Sequence, residues 1–155
     1  MKTACCHAYF GPGRIAICRG VRGVRAGYKV YRPLAPGKWF KEVDYPDYYR
    51  RYRQQLDKLH PERVLEQLKA LAAPHEPVLL CWEEPPLHRD NWCHRSIVAR
   101  WFWETLGLEV EERYHGNHKS WNWRKLPPFT TGRSSNASRS SRQPAPRSRS
   151  SESAP

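Results

Sequence analysis

The 155-residue sequence contains no stretch of roughly 18 consecutive apolar residues, so no segment reads as a membrane-spanning helix. Its first residues, M-K-T-A-C-C-H-A-Y-F, lack the long apolar core of a secretion signal. These two absences predict a cytoplasmic protein. A disulfide framework is missing too. Five cysteines stand at positions 5, 6, 18, 81 and 93, an odd number without framework spacing, and free thiols are expected. Acidic residues are scarce, 15 against 27 Lys and Arg, which gives a net charge of +12. Apolar residues make up 39%, below the roughly 45–50% of ordinary globular chains. No internal repeat is visible.

The low apolar share has a local cause. Residues 132–155 contain no large apolar side chain and are dominated by Ser, Arg, Pro and Ala. Five arginines and one glutamate put +4 of the charge there. Such a segment cannot bury enough surface to offset its ordering entropy, and a disordered tail is expected. Its chemistry suits weak, non-specific contact with nucleic acid, or mere solubilisation. The remaining chain is rich in large side chains, since seven Trp and eight Tyr supply extensive burial per residue. One α/β domain is expected over residues 1–131, with an aromatic arm at 113–131 around Trp121 and Trp123.

The most informative stretch is 78–107. Val78 to Trp82 is a short apolar run with the length and composition of a buried strand. A polar loop follows, carrying Glu83, Glu84, His88, Arg89 and Asp90. Cys93 to Leu106 then reads as a helix, with Gly107 placed for a left-handed C-cap. Strand, polar loop and helix in that order describe a site at the carboxyl end of an α/β sheet.

Upstream, residues 1–13 read as irregular and end in the turn Gly11-Pro12-Gly13. Arg14 to Cys18 reads as a strand, and the loop Arg19 to Gly27 alternates arginine with glycine. Tyr28 to Tyr31 suits a second short strand. Asp44 is placed to cap a helix running to about Leu59, with Tyr45, Tyr48, Tyr49, Tyr52, Leu56 and Leu59 on its apolar face. Pro61 opens another helix with Val64, Leu65, Leu68 and Leu71 inward. Leu108 to Glu111 alternates and reads as an edge strand. The order of elements predicts a small three-layer α/β fold with a mostly parallel sheet.

Leu79-Leu80-Cys81-Trp82-Glu83, followed by Cys93-His94-Arg95 and Ala99, resembles the signature of the domain of unknown function 488 family. Ile15 to Arg19, Leu34-Ala35-Pro36, the Tyr48–Tyr52 helix and Gly107 to Val110 are similar to that family's pattern as well. The resemblance covers about residues 14–112. It departs through a longer insertion, Glu84 to Trp92, and through the aromatic arm and basic tail. It implies a fold and a site location, and no particular reaction.

The candidate site residues follow from their chemistry. Cys93, His94 and Arg95 open a helix, where unpaired backbone N–H groups favour negative charge and a thiolate. Arg95 offers a planar fork to a carboxylate or phosphate. Glu83 is placed to accept a proton or to hold His94 or Arg95. Arg19 and Arg22 add basic groups in a loop that also follows a strand. The layout supports an uncharacterised protein binding a small anionic ligand, nucleotide or phosphate-like, and admits an enzyme with Cys93 as nucleophile and His94 or Glu83 as base.

Other readings stay open beside it. Cys93 alone can be a packed small residue, with a Glu83–Arg95 pair tying loop to helix. The Arg-rich loop fits neither the Walker nor the dinucleotide fingerprint, and a single residue between Cys93 and Arg95 excludes a phosphatase loop. Abundant Trp, Tyr and positive charge are compatible with a nucleic-acid module lacking catalysis. Cys81, His88, Cys93 and His94 are metal-type ligands. Their spacing matches no zinc finger, and on a helix the neighbours Cys93 and His94 diverge by about 100°. No metal and no cofactor is therefore expected.

Overall fold

Val78–Cys81 is buried at every position and lies in the middle of the sheet. The computed structural model describes residues 1–84, 87 and 92–113. These residues form five strands: β1 (Lys2–Cys5), β2 (Arg14–Ala16), β3 (Lys29–Val30), β4 (Val78–Cys81) and β5 (Glu111–Arg113). Their order across the sheet is β3-β2-β4-β1-β5. Every pairing among the described residues is parallel. Leu79 is in register with Thr3 on one side and Ile15 on the other, which explains the unbroken apolar run: both edges and both faces of β4 are covered. The α/β class with a parallel sheet is as the pattern predicts.

The residues expected to be irregular hold one exception. Lys2–Cys5 is β1, an inner strand between β4 and β5. Its Thr, Ala and Cys side chains give almost no hydrophobic signal, so it is recognisable by its neighbours and not by its own pattern. The last strand also begins three residues later than expected, and overlaps the alternation of Leu108 to Glu111 only at Glu111. Leu108 N–H still bonds back to the Phe102 carbonyl at 3.3 Å, which keeps this segment at the helix end. The inward residue of β5 is a charged one, Glu112, which hides the strand from an apolar search.

Among the described residues three α-helices complete the fold: α1 (Tyr45–Leu56), α2 (Pro61–Ala72) and α3 (His94–Leu106). Asp44 caps α1 by accepting the Asp47 N–H at 3.1 Å, and the helix ends three residues before the expected Leu59. Tyr48, Tyr52 and Leu56 are its buried stripe, and Val64, Leu68 and Ala72 that of α2. Helix α3 is apolar on most sides, with Ile97, Val98, Trp101 and Phe102 all enclosed. Gly107 closes it at φ 64°, the left-handed cap expected from its position.

All three helices pack into one cluster with Ile15, Ile17 and Leu79, on a single face of the sheet. The opposite face carries Ala4, Val78 and Leu80, covered by Tyr9 and by the half-buried Val24, Tyr28 and Trp82. The third layer is thus built from loop residues. Each enclosed leucine contributes about 1.5–3 kcal/mol relative to exposure. Among the described residues no helix is long and apolar enough to cross a membrane. His88, Arg89 and Asp90, the arm with Trp121 and Trp123, and the tail 132–155 lie outside the described residues.

Candidate functional site

Parallel strands send all their carboxyl ends to one edge of the sheet, and adjacent β2 and β4 therefore release the Arg19 loop and the Glu83 loop side by side. Between them opens a cleft of about 510 Å³. Cys18, Cys81, Glu83 and His94 line its polar floor, Tyr48, Trp82 and Trp92 its aromatic walls, and Arg19, Arg22 and Lys41 its basic sides. Two of the walls are held in place. Trp82 donates its indole N–H to the Gly20 carbonyl at 2.9 Å, and Trp92 lies 4.3 Å from Tyr48 between ring centres. Arg19 donates to the Pro36 carbonyl at 3.0 Å.

The floor is a tight cluster. His94 Nε2 lies 3.1 Å from the Ile17 carbonyl, which can only accept, so Nε2 carries a proton and donates. That leaves Nδ1 turned toward two sulfurs, Cys81 Sγ at 3.4 Å and Cys93 Sγ at 3.8 Å. Cys81 Sγ donates to Glu83 Oε2 at 3.0 Å. Cys81 and Glu83 are two apart and point the same way. Cys93 is the N-cap of α3 with extended backbone, φ −139° and ψ 144°. It stands before the helix, so the 100° divergence expected between Cys93 and His94 does not arise, and their side chains converge.

The electrostatics of the cluster are uneven. Burial opposes a Cys93 thiolate, but the Cys81 thiol, the Arg95 guanidinium and the His94 ring together outweigh it and bring Cys93 down to about 6. Burial also opposes charge on His94, and the neighbouring Cys93 and Glu83 overcome it and raise the imidazole. Glu83 is lowered: burial works against its carboxylate, and hydrogen bonds from the two thiols outweigh that. Burial drives Cys81 well above the ordinary thiol range, reinforced by Cys93 and Glu83.

The sequence-predicted residues divide into two groups. Glu83, His94, Arg19 and Arg22 share the cleft. Cys93 lies behind its floor at 1% exposure, and Arg95 is fully enclosed. Arg95 does not meet Glu83. Its Nε donates to both oxygens of Glu112 on β5, at 3.1 and 3.0 Å, and its Nη1 lies 3.6 Å from Cys93 Sγ. Nη2 sits 2.9 Å from Glu112 Oε1, off the line of a hydrogen bond. Thr3 Oγ1 completes the group by donating to Glu112 at 2.6 Å. The guanidinium fork is thus occupied internally, and its role toward the site is to place a positive charge beside the Cys93 sulfur.

Sequence reasoning named Cys81 only as a metal-type ligand that its spacing disfavoured, beside apolar neighbours that mark a buried hydrophobe, and it passed over Glu112, which no motif marks. The Cys81-x-Glu83 spacing is the signal that points to the former.

A family model described as "Domain of unknown function DUF488" matches residues 20–102, more than half of the chain. The chain belongs to the DUF488 family. The matched span of this DUF488 protein contains β3, all of α1, α2 and β4, and most of α3, so both the Arg19–Arg25 loop and the Cys93–Arg95 helix start fall in or beside it. No curated protein and no solved structure matches significantly.

Proposed function

We propose that this DUF488 protein binds a small anionic ligand of nucleotide or phosphate type in the cleft at the sheet's carboxyl edge. The observation that carries the reading is the composition of one cavity: Arg19, Arg22 and Lys41 share it with Tyr48, Trp82 and Trp92. Cationic side chains on a concave wall raise the local concentration of anions, and aromatic faces suit a planar base or ring. A cleft of about 510 Å³ is of the size that takes a small ligand. Glu83 and His94 form the polar floor toward which the bound group is directed, and Arg95 acts from behind as a positioning residue. A covalent version of the proposal assigns Cys93 as nucleophile with His94 or Glu83 as base. It requires the cover over Cys93 to move, whereas binding requires no movement.

The test is a titration of the full-length protein with a panel of nucleoside mono-, di- and triphosphates at physiological salt, followed by tryptophan fluorescence. A charged hydrogen bond contributes about 1.5–3 kcal/mol, so the Arg19→Ala/Arg22→Ala double variant is expected to bind at least about tenfold more weakly with an unchanged melting temperature. Equal binding by the double variant, or no binding by the wild type at millimolar concentrations, sinks the reading.

A further inference from the structure

We infer that the floor of the cleft is a zinc-class metal site, with Cys81 Sγ, Cys93 Sγ and His94 Nδ1 as ligands and Glu83 as the fourth. The four donor atoms lie within 4.8 Å of one another. Cys81, Cys93 and His94 are buried and Glu83 is half-buried, which separates this group from the exposed clusters of acids that surfaces carry by chance.

The separations centre on those of a tetrahedral metal site. Zinc bonds of about 2.0–2.3 Å arranged tetrahedrally place their ligand atoms roughly 3.3–3.8 Å apart. Cys81 to His94 at 3.4 Å and Cys93 to His94 at 3.8 Å fall in that range, Cys81 to Glu83 at 3.0 Å is slightly shorter, and the remaining pairs lie within 4.8 Å. The donor set of two sulfurs, one imidazole nitrogen and one carboxylate oxygen selects a borderline ion such as zinc over magnesium or calcium, which take oxygen ligands.

The surroundings have the form of an outer shell. His94 Nε2–H donates to the Ile17 carbonyl, which fixes the tautomer that leaves Nδ1 available. Two thiolates, one carboxylate and a neutral imidazole carry −3, so a divalent ion leaves −1. The Arg95 guanidinium, 3.6 Å from Cys93 Sγ and anchored by Glu112, faces that residual charge. Two elements supply the ligands, the end of β4 and the start of α3, and an ion there would tie together the two sides of the loop between them. Binding releases to solvent the protons that the two sulfurs and His94 Nδ1 still hold, and it involves no redox change. The inference shares Glu83 and His94 with the anion-binding proposal but does not rest on it: the ion is held by the floor, whereas the anion is held by the basic walls. It competes with a nucleophilic Cys93 for the same sulfur.

The experiment uses full-length protein prepared without a metal-affinity step and kept reduced. Apo protein is titrated with Zn²⁺ against a chelating indicator, and with Co²⁺ followed by absorption. Expected are one ion per chain, a thiolate-to-cobalt charge-transfer band in the near ultraviolet and strong tetrahedral bands in the visible. Cys81→Ser and Cys93→Ser should each lower affinity by more than the roughly 10–100-fold that loss of an outer-shell partner costs. Should those variants fail to fold, Glu83→Gln, at the half-buried side, is expected to keep the charge-transfer band and weaken the ion. Wild-type protein that takes up no stoichiometric Zn²⁺ and gives only the weak bands of octahedral cobalt overturns the proposal. So does a cobalt spectrum that survives unchanged in the folded cysteine variants.

Discussion

Arg95 and Glu112, seventeen residues apart, form a fully enclosed ion pair between the first turn of α3 and the edge strand β5. A pair of this kind costs desolvation to assemble, and removing one partner strands the other without water. Glu112→Ala should therefore destabilise the protein by roughly 3–5 kcal/mol. Arg95→Met/Glu112→Leu should recover most of that loss. Urea unfolding of Arg95→Met, Glu112→Leu and the double variant gives the coupling directly. A Glu112→Ala cost below about 1 kcal/mol, in the range of an exposed pair, would show that water reaches the guanidinium.

Two glycines with positive φ should respond differently to alanine. At Gly13, φ 75°, an added Cβ runs into the Glu76 carbonyl, and the Gly13 carbonyl also accepts the Val78 N–H at 2.8 Å. At Gly107, φ 64°, the added atom meets nothing within 4 Å. Gly107→Ala carries the left-handed conformational cost of about 1–2 kcal/mol. Gly13→Ala carries that cost and a displacement of backbone at the amino end of β4. The melting temperature of Gly13→Ala is expected to fall well below that of Gly107→Ala, and the reverse order would place the Glu76 carbonyl elsewhere.

Tyr52 is buried in α1 and donates its hydroxyl to the Leu34 carbonyl. Tyr52→Phe keeps the ring and leaves that carbonyl unpaired, a loss of about 1–3 kcal/mol. Leu68→Ala in α2 empties volume at a fully enclosed position, for about 2–5 kcal/mol. Denaturant midpoints should rank Leu68→Ala below Tyr52→Phe. Equal midpoints would mean that α2 closes over the missing side chain.

Legibility followed the strength of the local signal. The caps at Asp44 and Gly107, the two amphipathic helices and the apolar run of β4 announce themselves through periodicity and turn chemistry, and the helices and strand stand within a few residues of where the sequence puts them. β1 was illegible because Thr3 and Ala4 owe their burial to the strands on either side. The site shows the same division. Glu83, His94 and Arg19 carry chemistry in their own neighbourhoods and meet in the cleft. Arg95 reads as a fork for an anion, and the fold supplies an internal one from Glu112, a partner that only tertiary structure can choose. The geometry of Cys93 turned on a single residue of helix boundary: an extended N-cap brings its sulfur to His94, where a first helical turn would have separated them.

The interleaved strand order has a consequence for anyone excising the DUF488 match. Between residues 20 and 102 the chain contributes β3 and β4, which are not neighbours. β3 leans on β2, and β4 on β1 and β2, and all of those partners come earlier in the chain. A fragment trimmed to the matched limits would keep two strands with no mate for either, along with an arginine deprived of its counter-ion, so the recognisable segment of this protein is not a separable one.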